Sequence, residues 1–190
     1  MLTTTSAAHE RHGEVVQGRI LETYKRLGGY RTFGNAIIPE SDAGRGGKFQ
    51  VFEQASSIYW HPNVSHGVAR QVKGAIRDRW RDWGWENGPL RYPTTDELTT
   101  PDRVGRFNHF EDGSIYWTPG TGAQIVKGRV RDYWASRGWE TGLHGYPVGE
   151  EYFVDGGINQ DFQNLSIQWV EPISRRLPTG DHINWDGYQM

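Results

Sequence analysis

One motif recurs three times along this chain, and a tandem repeat limits the possible folds more than composition can. Each copy has to bury its apolar face against a neighbour built like itself. Gly18, Gly74 and Gly128 stand 56 and 54 residues apart (74 − 18 and 128 − 74). Two residues after each comes Ile20, Ile76 or Val130; six after, Tyr24, Trp80 or Trp134; ten after, Gly28, Gly84 or Gly138. The second and third copies read VKGAIRDRWRDWGWENGPLRYP and VKGRVRDYWASRGWETGLHGYP, and the first diverges as VQGRILETYKRLGGYRTFGNAI. The boundaries that follow are an N-terminal tail 1–13, repeats 14–67, 68–122 and 123–173, and a C-terminal tail or cap 174–190.

The first part of each copy has helical spacing. Val68, Val72, Ile76, Trp80 and Trp83 recur at steps of four, four, four and three, which predicts an amphipathic helix over 68–83 that Gly84 ends. A glycine inside that helix, as Gly74 would be, points to close approach by another backbone. The second part predicts a β-hairpin, clearest at Arg106 to Trp117, where Asp112-Gly113 signals a two-residue turn. That turn sets Phe110 opposite Ile115 and Asn108 opposite Trp117 on a core side, with His109 opposite Tyr116 and Phe107 opposite Thr118 on the other. The first copy repeats the core side with Phe52, Ile58 and Trp60 but has one more residue in its turn. The third repeats it with Phe162, Ile167 and Trp169, while Asn159, Asp161 and Gln168 occupy the opposite side. A short helix and a lone hairpin cannot each bury their faces alone, so the expected fold is α+β: tandem units, stacked or arranged in a pseudo-symmetric propeller-like array.

Composition serves mainly to exclude. With 21 Lys plus Arg against 23 Asp plus Glu, the formal charge of −2 gives no footprint for nucleic acid or an anionic membrane. The absence of Cys removes disulfide scaffolds, thiolate metal sites and Cys nucleophiles. No apolar run approaches the ~20 residues of a membrane span, and MLTTTSAAHE has neither the basic nor the apolar region of a signal peptide. No Gly-x-Ser-x-Gly elbow, HExxH pair, phosphate loop or dinucleotide fingerprint occurs, so the reading is of a protein that is no enzyme and needs no cofactor.

Between helix and hairpin lie Leu90-Arg91-Tyr92-Pro93, His144-Gly145-Tyr146-Pro147 and, more loosely, Phe33-Gly34-Asn35-Ala36. With the Gly-Ser-Ile-Tyr-Trp run at 113–117 and Ser-Ile-Tyr-Trp at 57–60, these loops resemble the LGFP repeats of actinobacterial cell-wall proteins over residues 14 to 172. No copy carries the four-letter signature itself, and the first lacks both its Pro and its aromatic. The resemblance implies a non-catalytic module that tethers to envelope polysaccharide, arabinogalactan and peptidoglycan, outside the cell, or on a virion if the chain is phage-encoded. The rival expectation is a structural or assembly protein whose repeats and tails contact protein partners.

Sugar rings stack on aromatic faces while their hydroxyls need polar neighbours. The candidates for such contacts are Tyr59, His109 and Tyr116 on the hairpins, Trp85 and Trp139 after the helix-ending glycines, and Tyr92 and Tyr146 in the loops. Trp80, Trp134, Trp60, Trp117 and Trp169 are assigned to packing, and Asp78 and Asp132 to helix-surface hydrogen bonds or ion pairs. A faint Ca²⁺ pattern is formed by Asp155, Asn159 and Asp161 around glycines. The tails are read as partner-contacting or capping segments, with Trp185 and Tyr188 docking on the end of the array.

Overall fold

The structure, a computed structural model, describes residues 13–170 and three short strands beyond them, 175–176, 182–183 and 188–189. The N-terminal tail before Gly13, Trp185 and the side chain of Tyr188 lie outside the described residues. The expected α+β class is borne out: helices alternate with antiparallel sheets. Two compact units are present, one formed by residues 1–98 and 107–112, the other by 99–106 and 113–190. Their boundary passes through the turn of the second hairpin.

In the first unit α1 (Gly18–Arg26) and the short α2 (Tyr30–Phe33) precede β1 (Ser41–Ala43), β2 (Gly47–Phe52), β3 (Ser56–Trp60) and β4 (Arg70–Lys73), which form one sheet in that order. The chain continues into α3 (Gly74–Asp82), β5 (Leu98–Thr99) and β6 (Arg106–Phe110). Register places Gln50 opposite Ile58 and Phe49 opposite Tyr59, so side chains alternate between faces along both strands. Phe52 and Ile58 join Ile20, Phe33, Ala36 and Ala69 in one core, with Trp60 packed against it, as the spacing of the first copy predicts. Phe49 and Tyr59 share the opposite face, stacked at 5.1 Å and 15°, and there Trp80 of α3 meets Tyr59 edge-on at 4.7 Å. Both faces of this sheet are therefore covered, one by the helix before it and one by the helix after it.

The second unit repeats the plan. It holds β7 (Gly113–Thr118), β8 (Gly122–Lys127), α4 (Gly128–Ser136), β9 (Tyr152–Val154), β10 (Gly157–Gln160) and β11 (Ile167–Val170), then β12 (Arg175–Arg176), β13 (His182–Ile183) and β14 (Tyr188–Gln189). Trp134 of α4 meets Tyr116 of β7 edge-on at 4.8 Å and Phe162 at 5.3 Å. At the far end β14 pairs with β11, Trp169 opposite Tyr188, and no helix follows β11 among the described residues.

Three interactions recur at matching positions and explain why the repeat keeps those residues. The helix aromatic reaches the second position of the loop: Trp80 Nε1 donates to Arg91 O, Trp134 Nε1 to Gly145 O, and Tyr24 Oη to Gly34 O. The fourth loop position, Ala36, Pro93 or Pro147, bridges to Phe52, Phe110 or Phe162 of the hairpin. A buried amide donates to two carbonyls at once, Gln50 to Val15 and Ile38, Asn108 to Gln71 and Thr95, Gln160 to Ile125 and Gly149. Each amide thus ties the segment that leads into the helix to the stretch just after the signature loop, and satisfies carbonyls that burial would otherwise penalise.

Three expectations are corrected. The helix expected over 68–83 begins only at Gly74, because residues 70–73 pair with β3 as strand β4. A step of four, as from Val68 to Val72, keeps a residue on one face of a strand as well as of a helix. Gly74 is accordingly the hinge from strand to helix, not a site of close packing: its φ is +54° and a Cβ there would meet nothing within 4 Å. Gly18 and Gly128 have φ of +53° and +54°, a region that disfavours any residue with a Cβ. In the second hairpin the turn falls on Glu111-Asp112 and Gly113 opens β7, one residue earlier than Asp112-Gly113. The extra turn residue in the first copy is present, with Ala55 at φ 46°.

Candidate functional site

The aromatic residues singled out from the sequence separate into two classes. Tyr59, Tyr92, Tyr116 and Tyr146 are at most 5% exposed, whereas Trp85, Trp139 and His109 are half-buried. Burial raises the Tyr59 and Tyr116 hydroxyls well above the tyrosine range, with Glu86 and Glu140 adding to the rise and Arg77 and Arg131 opposing it. Burial likewise pushes Tyr92 and Tyr146 up to about 12. All four therefore keep their phenolic proton across the physiological range.

The half-buried tryptophans sit in two matching constellations, one in each compact unit. Trp85 opens a single 3₁₀ turn, Trp85–Asn87, immediately after Gly84 ends the helix in the left-handed conformation. Trp139 does the same after Gly138. The turn holds the tryptophans at φ of 55° and 57°, where a bulky residue is strained, and such strain collects at functional sites. Trp85 stacks on Tyr59 at 6.4 Å and 23°, and meets Trp80 edge-on at 5.4 Å. Trp139 stacks on Tyr116 at 6.2 Å and 22°, and meets Trp134 edge-on at 5.3 Å. An arginine lies over each indole, Arg77 at 5.2 Å and Arg131 at 5.3 Å, and its Nε donates to Ser57 or Ser114 at 2.7 Å. Beside each indole is a buried acid. Glu86 accepts from the Gly44 N–H at 2.8 Å, and Glu140 has its carboxyl raised by burial, a rise that its own backbone N–H partly offsets and Asp102 reinforces. Each constellation offers a fixed indole next to a guanidinium, a planar apolar surface with hydrogen-bond donors at its edge.

The loop tyrosines join each helix to the sheet before it. Tyr92 Oη donates to Gly44 O with Arg45 over its ring at 5.0 Å, and Tyr146 Oη donates to Asp102 at 2.8 Å. Both fit because a glycine faces them: a Cβ on Gly47 would come within 2.3 Å of Tyr92 Oη, and one on Gly105 within 2.8 Å of Tyr146 Cε1.

His109 packs on Phe107 at 5.0 Å. Of the Ca²⁺ candidates, Asp155 lies in the turn before β10 and Asp161 just beyond its other end, about 20 Å apart at strand rise. Asn159 directs its amide nitrogen, not its oxygen, at Asp161. The described residues contain no group of three or more His, Cys, Asp or Glu that could hold a metal ion. Asp78 pairs with Arg81 on the helix surface at 3.1 Å.

Sequence reasoning passed over Arg77 and Arg131, although their spacing follows the repeat. The signal was their absence from the first copy, where Leu21 and Gly29 occupy the positions of the arginine and the tryptophan. No sheet precedes α1 among the described strands, so no tyrosine is present there for a tryptophan to stack on.

A family model described as the LGFP repeat matches two segments, residues 34–88 and 90–142, which together make up more than half of the chain. No curated protein matches the chain in sequence. Each matched segment runs from a signature loop through a hairpin to the end of the following helix and its 3₁₀ turn, and so contains one whole constellation.

Proposed function

The chain belongs to the LGFP-repeat family, and from that premise we propose that it is a non-catalytic cell-wall module that grips envelope polysaccharide on the two Trp–Arg surfaces. The observation that carries this reading is the repeated half-buried indole, Trp85 and Trp139, held at positive φ with a buried tyrosine and an arginine packed on it. The accessible edge of the indole supplies apolar contact for a sugar ring, and the guanidinium supplies donors for its hydroxyls. Tyr59, Tyr116, Tyr92 and Tyr146 hold these surfaces in place from beneath. Two weak sites on one chain bind a repetitive polymer more tightly than either alone, because the second contact forms at high effective concentration. Arabinogalactan and peptidoglycan are the polymers proposed, and the wall is the proposed location.

Co-sedimentation with mycolate-stripped arabinogalactan–peptidoglycan, beside a wall lacking arabinogalactan, tests the reading. Trp85→Ala and Trp139→Ala should each weaken pelleting, and the double variant should abolish it while circular dichroism stays unchanged. Undiminished pelleting of the double variant would sink the proposal. The alternative is an assembly role through protein partners, favoured by the exposed apolar residues Phe153, Leu143 and Leu165 in the second unit. It predicts no pelleting with either wall.

A further inference from the structure

The third sheet departs from the first at the positions that a following helix would cover. Asn159 and Gln168 are paired across β10 and β11 as Phe49 and Tyr59 are across β2 and β3. Amides replace the aromatic pair where no helix follows among the described residues. A repeat at the end of an array needs a polar outer face, but that need does not account for the neighbouring changes. Tyr133, Arg137, Leu143 and His144 stand where the second copy has Arg79, Trp83, Pro89 and Leu90. These four residues, with Asn159, Leu165, Ser166 and Gln168, line a cleft of about 450 Å³, within the range of small-ligand sites.

The chemistry of the cleft is specific. Arg137 lies over the Tyr133 ring at 5.0 Å and has no ion-pair partner among the described residues. His144 Nδ1 lies 3.0 Å from Leu165 O; a carbonyl can only accept, so Nδ1 carries a proton and donates to it, which leaves Nε2 for the cleft chemistry. Asp161 is not a lining group, and it is engaged by the lining residues Ser166, through Oγ at 2.6 Å, and Asn159, through Nδ2 at 3.1 Å. Tyr133, Leu143 and Leu165 add apolar wall. We propose that this cleft is a second ligand site, distinct from the Trp–Arg surfaces, that takes a single acidic sugar residue: a pyranose ring on the apolar wall, its carboxylate on Arg137 and its hydroxyls on His144 and Gln168. The proposal rests on the carbohydrate reading for its ligand class, but its residues and its charge requirement are separate.

The test is a ¹H–¹⁵N titration of the whole chain with N-acetylmuramic acid, with N-acetylglucosamine and acetate in parallel, using wild type, Arg137→Ala and Gln168→Tyr. N-acetylmuramic acid should give saturable shifts at the amides of Arg137, His144, Ser166 and Gln168 at millimolar concentration. Binding should be about tenfold weaker for the neutral sugar and for Arg137→Ala, and absent in Gln168→Tyr, where the ring fills the cleft. No saturation, an equal response to acetate alone, or equal binding of both sugars would overturn the proposal. Wall pelleting by Arg137→Ala separates the two readings: retained pelleting with failed titration removes only the cleft, and lost pelleting in the Trp85, Trp139 double variant with an intact titration removes only the Trp–Arg surfaces.

Discussion

The two constellations share their aromatic frame and differ in charge. Tyr59, Trp80 and Trp85 in the first unit superimpose in role on Tyr116, Trp134 and Trp139 in the second, with ring distances that agree to 0.2 Å (4.7 and 4.8, 6.4 and 6.2, 5.4 and 5.3 Å). Where the loop tyrosine docks, however, the first unit has Gly44, beside Arg45 ion-paired with Glu111, and the second has Asp102 at the position of Gly44, caged by Thr100 Oγ1 and the Val104 N–H. Close packing resists the loss of a ring, because neighbouring side chains interdigitate and a lost ring leaves a cavity. A partly solvated loop tolerates an added charge, because water screens it. The repeat is thus defined by its buried aromatics, while its loops are where one unit becomes electrostatically unlike the other.

The sharpest way to break this comparison is to remove the ring that both frames share. Trp80→Ala and Trp134→Ala should each cost about 3–5 kcal/mol, seen as a lowered midpoint in denaturant, and the two costs should agree within about 1 kcal/mol if the frames are equivalent. A much smaller loss for one of them would mean that its unit does not depend on the stack. The next effect should separate the units. Tyr146 donates to a carboxylate and Tyr92 to a neutral carbonyl, so Tyr146→Phe should cost about 1.5–3 kcal/mol and Tyr92→Phe about 1 kcal/mol. Equal losses would show that Asp102 draws its stability from the loop cage alone. Smaller again is Gly74→Ala, where a Cβ meets open space and only the positive φ is charged, about 1 kcal/mol; Gly128→Ala should match it.

Much of this arrangement was legible in the sequence, for physical reasons that can be named. Period and order gave the helix aromatic, the hairpin sides of the first and third copies and the left-handed glycine after each helix, because each depends on local spacing. What lies on the far side of a strand was not legible. Tyr59 alternates with Ile58 as a solvent-facing residue would, and only the structure brings Trp80 onto it. The divergence of the first copy has the same cause. Leu21, Gly29 and Asn35 replace Arg77, Trp85 and Tyr92, three residues whose partners belong to a preceding sheet, and no such sheet precedes α1 among the described strands. Gln168 in the third copy is the reciprocal case, a position whose partner would come from a following helix. What reads as decay of a motif is the edge of a packing scheme. The family model falls into step with that scheme, since it matches twice and the chain has two complete sheet-to-helix constellations.

The smallest expected effect tests whether charge alone distinguishes the units. Glu140 has its carboxyl raised, first by burial and then by Asp102, so its charged form is disfavoured in the folded chain. A raised folded-state value gives stability that is fully present below the ordinary carboxylate range and is lost as pH climbs through the raised value. Glu140→Gln has no proton to lose, so it should be the more stable protein at pH 7, by a fraction of 1 kcal/mol to about 1 kcal/mol, and the gain should shrink to nothing on acidification below the ordinary range. Asp102 works with the opposite sign. Partial desolvation raises its carboxyl, yet Thr100, Val104, Tyr146 and Gly105 together hold it below the ordinary range. Its contribution is present at neutral pH and lost as pH falls, so Asp102→Asn should destabilise at pH 7 and cease to do so in acid. Thermal midpoints of both variants at pH 7 and pH 4 check the pair. If Glu140→Gln shows no pH-dependent gain, the buried acid beside Trp139 carries its charge at no cost, and the electrostatic contrast between the units reduces to Asp102 in place of Gly44.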